Sequence, residues 1–106
     1  MIVYLAGPMT PKDGYTLEQN VEAASTVYFR LVRERVPTFC PHLGASLQNS
    51  FDTSYETWLR YAYVVIDQCT HVLMLPRWET SYGATLERSY ALRKGKQVVY
   101  DVEELF

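Results

Sequence analysis

Leu73-Met74-Leu75-Pro76-Arg77-Trp78-Glu79-Thr80-Ser81-Tyr82-Gly83-Ala84-Thr85-Leu86-Glu87 is the stretch on which the fold turns. Val72 to Leu75 are wholly apolar, the pattern of a central parallel strand covered on both faces. A short polar loop follows, and Ser81 suits a helix N-cap, its hydroxyl accepting from N–H groups that the first turn leaves unpaired. Those N–H groups and the helix dipole also favour an anion. Glu87 lies four residues after Gly83 and so shares its helix face. Helical side chains lean toward the N-terminus, which aims the Glu87 carboxylate over the bare backbone of Gly83. Together these residues describe a place for a small molecule, against a helix start and beside a carboxylate. Singly each has a plainer use: Ser81 as a cap, Gly83 for close packing, Glu87 as a solvated acid.

The flanking sequence repeats the strand–helix alternation. Met1 to Ala6 is a short apolar, β-branched run ending at Gly7-Pro8, a strand followed by a turn. Pro8 to Gly14 reads as a loop that folds over something. Thr16 and Gln19 have capping-box spacing. Leu17, Val21, Ala24, Val27, Tyr28 and Leu31 then mark one apolar helical stripe, down to about Arg35. Thr38 to Cys40 is a second strand, closed by Pro41-His42. Residues 43 to 53 read as a long loop, of the kind that is often functional in a small domain. Thr53 and Glu56 again fit a capping box, and Tyr55, Leu59, Ala62, Ile66 and Cys69 form the inner stripe of a second helix. The helix from Ser81 runs to about Lys94 and ends at Gly95, a fitting residue just past a C-cap. Gln97 to Asp101 is a fourth strand, and Val102 to Phe106 a short tail.

The order β-α-β-α-β-α-β predicts a small doubly wound α/β domain spanning residues 1–106, with four to five parallel strands and helices on both faces. Ligands in such sheets bind beyond the carboxyl ends of the strands. Those ends carry Gly7-Pro8-Met9, Pro41-His42 and Pro76-Arg77-Trp78, so three loops and one helix start converge on one edge.

Composition narrows the function classes. At 106 residues with 48% hydrophobic and 21% charged, the chain has enough apolar content for one soluble domain with a real core. A net charge of −2 without a basic run argues against nucleic-acid wrapping. No apolar run reaches membrane-spanning length, and the sequence opens on a strand rather than on signal-peptide zones, which predicts a cytoplasmic protein. Cys40 and Cys69 read as buried free thiols, and two histidines without a spaced ligand cluster make a zinc site improbable. No cofactor is expected. Nine tyrosines suit interfaces and stacking on flat ligands.

Tyr4-Leu5-Ala6-Gly7-Pro8-Met9, Pro41-His42, Trp58, and Met74 to Ala84 with Leu86-Glu87, Ala91 and Gly95-Lys96 resemble the nucleoside 2-deoxyribosyltransferase-like superfamily. The likeness is to its small bacterial and phage branch and to relatives that hydrolyse nucleoside 5′-monophosphates. The resemblance implies a Rossmann- or flavodoxin-like fold and N-glycosidic chemistry, with the catalytic glutamate falling on Glu87. Breaking a C–N glycosidic bond builds positive charge on the sugar, which an ionised carboxylate stabilises or captures covalently. Nearness to a helix N-terminus is expected to keep Glu87 ionised.

Relatives acting on free nucleosides hold the sugar 5′-hydroxyl with an acid six residues before the glutamate; here that position is Ser81, which suits a phosphate instead. The resemblance also puts Gly7-Pro8-Met9 around the phosphate or sugar and Tyr4 in hydrogen-bonding range of the carboxylate, with a core tyrosine on a central strand as its alternative. Trp78 becomes a lid over the base, with a loop-to-core anchor as its alternative. His42 becomes a ligand contact, with a structural hydrogen bond at a strand end as its alternative. The aspartate usual on the helix before the third strand has no counterpart at Ala62 or Tyr63. That leaves Asp67, Glu79, a tyrosine or solvent to protonate the departing base. The expectation is hydrolysis of a nucleoside 5′-monophosphate by a homodimer or larger homo-oligomer. A deoxyribosyltransferase and a non-catalytic nucleotide-binding module are the alternatives.

Overall fold

The computed structural model describes residues 1–44 and 55–106. Strand β1 (Val3–Ala6) leads through helix α1 (Leu17–Arg33) to β2 (Thr38–Phe39), and a 3₁₀ turn covers Pro41–Gly44. Helix α2 (Tyr55–Asp67) precedes β3 (His71–Met74). A second 3₁₀ turn (Trp78–Thr80) enters helix α3 (Tyr82–Arg93), followed by β4 (Gln97–Val99) and a last 3₁₀ turn (Val102–Leu105). Among the described residues no helix is long and apolar enough to cross a membrane.

The helix boundaries follow local chemistry. Thr16 and Gln19 form the reciprocal capping box, each side chain paired with the other's backbone N–H. Ser81 caps α3 by accepting from Ala84 N–H at 3.1 Å. Gly95 follows α3 at φ +73, a left-handed turn that costs glycine little. The spacing of Thr53 and Glu56 lies partly outside the described residues.

All strands pair in parallel, in the order β2-β1-β3-β4. That order places helices unequally. From β1 the chain moves one way to β2, then back past β1 to β3, then onward to β4. Right-handed crossovers put α1 on one face and α2 and α3 on the other. Burial agrees: Val3, Leu5, Leu73 and Leu75 pack with Ala24 and Leu31, while Tyr4, Ala6, Val72 and Met74 pack with Ile66, Ala84 and Ala91. The chain reverses direction between β1 and β3, and the crevice at their carboxyl ends is where a doubly wound sheet opens. Gly7 leaves β1 there because a side chain would not fit: an added Cβ would stand 2.7 Å from Leu75 Cβ.

Candidate active site

A cleft of about 1160 Å³ opens at this crevice. Its floor is Tyr4 of β1 and Glu87 of α3. Alternation along β1 turns Tyr4 to the α2/α3 face, and Glu87, on the second turn of α3, leans back toward the same point. The Tyr4 hydroxyl donates to Glu87 Oε2. Tyr4 has no exposed surface and Glu87 only 8%. Burial pushes the Glu87 carboxyl up to about 7, opposed by the Tyr4 hydrogen bond. The helix dipole was expected to keep Glu87 ionised, whereas a carboxyl titrating there is only partly ionised at neutral pH. Glu87 stands six residues beyond the cap, past the first turn where the dipole acts, so desolvation wins. Burial, then the neighbouring carboxylate, holds the Tyr4 phenol well above its ordinary value, so it stays a donor.

Gly7, Pro8 and Met9 line the cleft, as do His42, Ser81 and Gly83. His42 is buried, and burial lowers its pKa, leaving it neutral near pH 7. Its Nε2 lies 2.9 Å from the Pro8 carbonyl, which only accepts, so Nε2–H is the donor and the loop is tied to β2. Nδ1 faces Cys40 Sγ at 4.0 Å, and burial raises that thiol above its usual range.

Two expected residues lie elsewhere. Asp67 ends α2, which in a parallel sheet puts it at the edge where β3 begins, opposite the cleft. Its carboxylate accepts from Tyr90 at 2.7 Å, beside the stacked pair Tyr63 and Tyr90. Trp78 packs toward the α2/α3 core, against Tyr100 and Arg88, and takes the anchor role rather than that of a lid.

Sequence reading missed the cationic rim and part of the aromatic wall. Lys12 and Arg77 both line the cleft. Asp13 (φ 55) and Gly14 (φ 84) make a tight two-residue turn that pairs Lys12 with Tyr15. Lys12 Nζ donates to the Thr80 carbonyl at 3.1 Å. Arg77 sits at φ 65, where a non-glycine residue pays about 1 kcal/mol or more. Its guanidinium lies 3.4 Å from the Tyr15 ring centroid and donates to Asn20 Oδ1 at 2.7 Å. Asn20 is 3% exposed and donates to the Met9 and Thr10 carbonyls. The only sequence signal for this cluster was an arginine directly after Pro76. On the β2 side, Phe39 stacks on Tyr4 at 5.8 Å, and Trp58 meets Tyr61 edge-on at 6.1 Å on α2.

The cleft thus joins a buried carboxyl group to a cationic rim with a helix start on one side, and aromatic rings on the other. Among the described residues Glu87 is the single carboxylate lining it. No three His, Cys, Asp or Glu side chains among them cluster closely enough to hold a metal ion. No curated protein matches the sequence. Residues 1–100 match the family described as a domain of unknown function, DUF4406, and the chain belongs to that family.

Proposed function

We propose that the chain hydrolyses the N-glycosidic bond of a nucleoside 5′-monophosphate, with Glu87 acting at the anomeric carbon. The observation that carries this reading is the buried Tyr4–Glu87 pair on the floor of a cleft whose rim is cationic. The resemblance to the nucleoside 2-deoxyribosyltransferase-like superfamily points the same way.

In its ionised form Glu87 attacks the anomeric carbon as the bond to the base nitrogen breaks. The base keeps the bonding pair and takes up a proton from solvent as it leaves. Water then attacks the glycosyl–enzyme ester, releasing the sugar 5-phosphate and restoring the carboxylate. Tyr4 orients the carboxylate throughout. The aromatic side of the cleft suits a flat base, while Lys12, Arg77 and the start of α3 suit the phosphate. A second base in place of water would make the same site a transferase.

Incubation with each nucleoside 5′-monophosphate, followed by chromatography for free base, tests the reading. Base release is expected, and Glu87→Gln lowers it by roughly 10²–10⁴-fold. Monophosphate binding with no free base from the native protein would leave a nucleotide-sensing module in place of an enzyme.

A further inference from the structure

We propose that Arg77 is the residue by which this cleft distinguishes a phosphorylated nucleoside from an unphosphorylated one, with Tyr15 and Asn20 as its positioning residues. The inference rests on the proposed ligand class but requires no bond cleavage. At φ 65 the Arg77 backbone occupies a region that favours glycine, yet an arginine fills it. Asp13 and Arg35 share that backbone region. At Arg77 the side chain is in addition held on two sides.

One face of the guanidinium is covered by the Tyr15 ring at 3.4 Å. One edge donates to Asn20 Oδ1 at 2.7 Å. Asn20 is itself pinned, since its amide nitrogen donates to Met9 and Thr10, in the loop that lines the cleft. Tyr15 is presented by the tight turn at Asp13-Gly14. Tyr15 comes from the β1–α1 loop and Asn20 from the start of α1, while Arg77 comes from the β3–α3 loop, so the cation is fixed where these segments meet.

Among the described residues one of the five guanidinium donors is committed, to Asn20, and the planar fork matches a phosphate bidentately. Ser81, four residues on, lines the same cleft. A cation immobilised before the ligand arrives loses less freedom on binding, which favours discrimination over simple attraction.

The plainer account is that Arg77 only staples the two loops together, and the backbone offers a clean way to separate the two. Arg77→Gly relieves the left-handed residue while deleting the guanidinium. Nucleoside 5′-monophosphates and their matching nucleosides are titrated calorimetrically into the Glu87→Gln protein, with and without Arg77→Gly, alongside thermal unfolding. The monophosphate-to-nucleoside affinity ratio is expected to fall on the order of 10- to 100-fold, whatever the lost Asn20 contact does to Tm. A staple would instead leave the ratio where it was, overturning the inference. Arg77→Asn, which also tolerates the left-handed region, repeats the measurement should the glycine loosen the loop.

The outcomes also separate this inference from the glycosidase reading. A native protein that prefers monophosphates, loses that preference with Arg77→Gly, and never releases base removes the enzyme and keeps the Arg77 role. A native protein that cleaves monophosphates and nucleosides with equal kcat/KM removes the Arg77 role and keeps the chemistry.

Discussion

The two faces of the central strand differ in kind. Toward α1, β1 presents Val3 and Leu5 to a hydrocarbon core built with Ala24, Leu31, Leu73 and Leu75. Toward α2 and α3 it presents Tyr4 and Ala6, and beside Tyr4 a carboxyl group is buried. All four side chains are at most 1% exposed, so burial alone does not distinguish the faces. What differs is what burial does to each. A leucine gains on leaving water, whereas a carboxyl gains only if it keeps its proton or finds a partner. Both faces carry an apolar cluster, but only the α2/α3 face also buries a group able to change charge.

The largest expected effect lies on the apolar face. Leu5→Ala leaves a cavity in this largely apolar cluster, and denaturant unfolding should show a loss of about 2–5 kcal/mol. Base release per folded molecule should persist, because Leu5 points away from the cleft. Lost base release with stability retained would break the division between the faces.

Next in size is the pH dependence of stability set by Glu87. Its folded-state value of about 7 lies above the ordinary 4.5, so folding favours the protonated acid. The stabilising contribution is complete below about 4.5 and is lost as pH rises through about 7. The whole span corresponds to at most about 3–4 kcal/mol. Thermal unfolding of the native protein and of Glu87→Gln from pH 4 to 8 reads it directly. Tm of the native protein should fall relative to the glutamine variant as pH rises, and parallel curves would show that the carboxyl is not buried in solution. Base release should follow the opposite slope, rising as Glu87 ionises.

Tyr4→Phe gives a smaller effect. The Tyr4 hydroxyl hydrogen-bonds Glu87 and opposes the upward push of burial. Its loss should move the pH midpoint of base release upward by about one to two pH units, the equivalent of one hydrogen bond to a charged group. An unmoved midpoint would mean that the phenol only fills space.

Much of this was legible before any coordinates. The capping box at Thr16 and Gln19, the cap at Ser81 and the glycine past α3 fixed helix ends, because each depends on chemistry within a few residues. The convergence of Gly7, Pro8, Met9, His42, Ser81 and Gly83 followed from a general property of parallel sheets, that loops after the strands share one edge. Asp67 and Trp78 went astray for a shared reason. Residue type and nearness in sequence suggested roles, but the helix end and the loop turned both side chains out of the cleft.

The sequence by itself determined the alternation of strands and helices and the edge at which the loops after the strands converge, whereas the partnership of Tyr4 with Glu87 was only what a family resemblance implied. Periodicity and capping are written in neighbouring residues and need no distant contact. Only the tertiary structure decided how far Glu87 is desolvated, and so that its carboxyl titrates near neutral pH against the pull of the Tyr4 hydrogen bond. The arrest of Arg77 between Tyr15 and Asn20 was likewise a tertiary outcome. Both depend on groups brought together across 57 or more positions of chain, and no local pattern records which polar atoms will meet once water is gone.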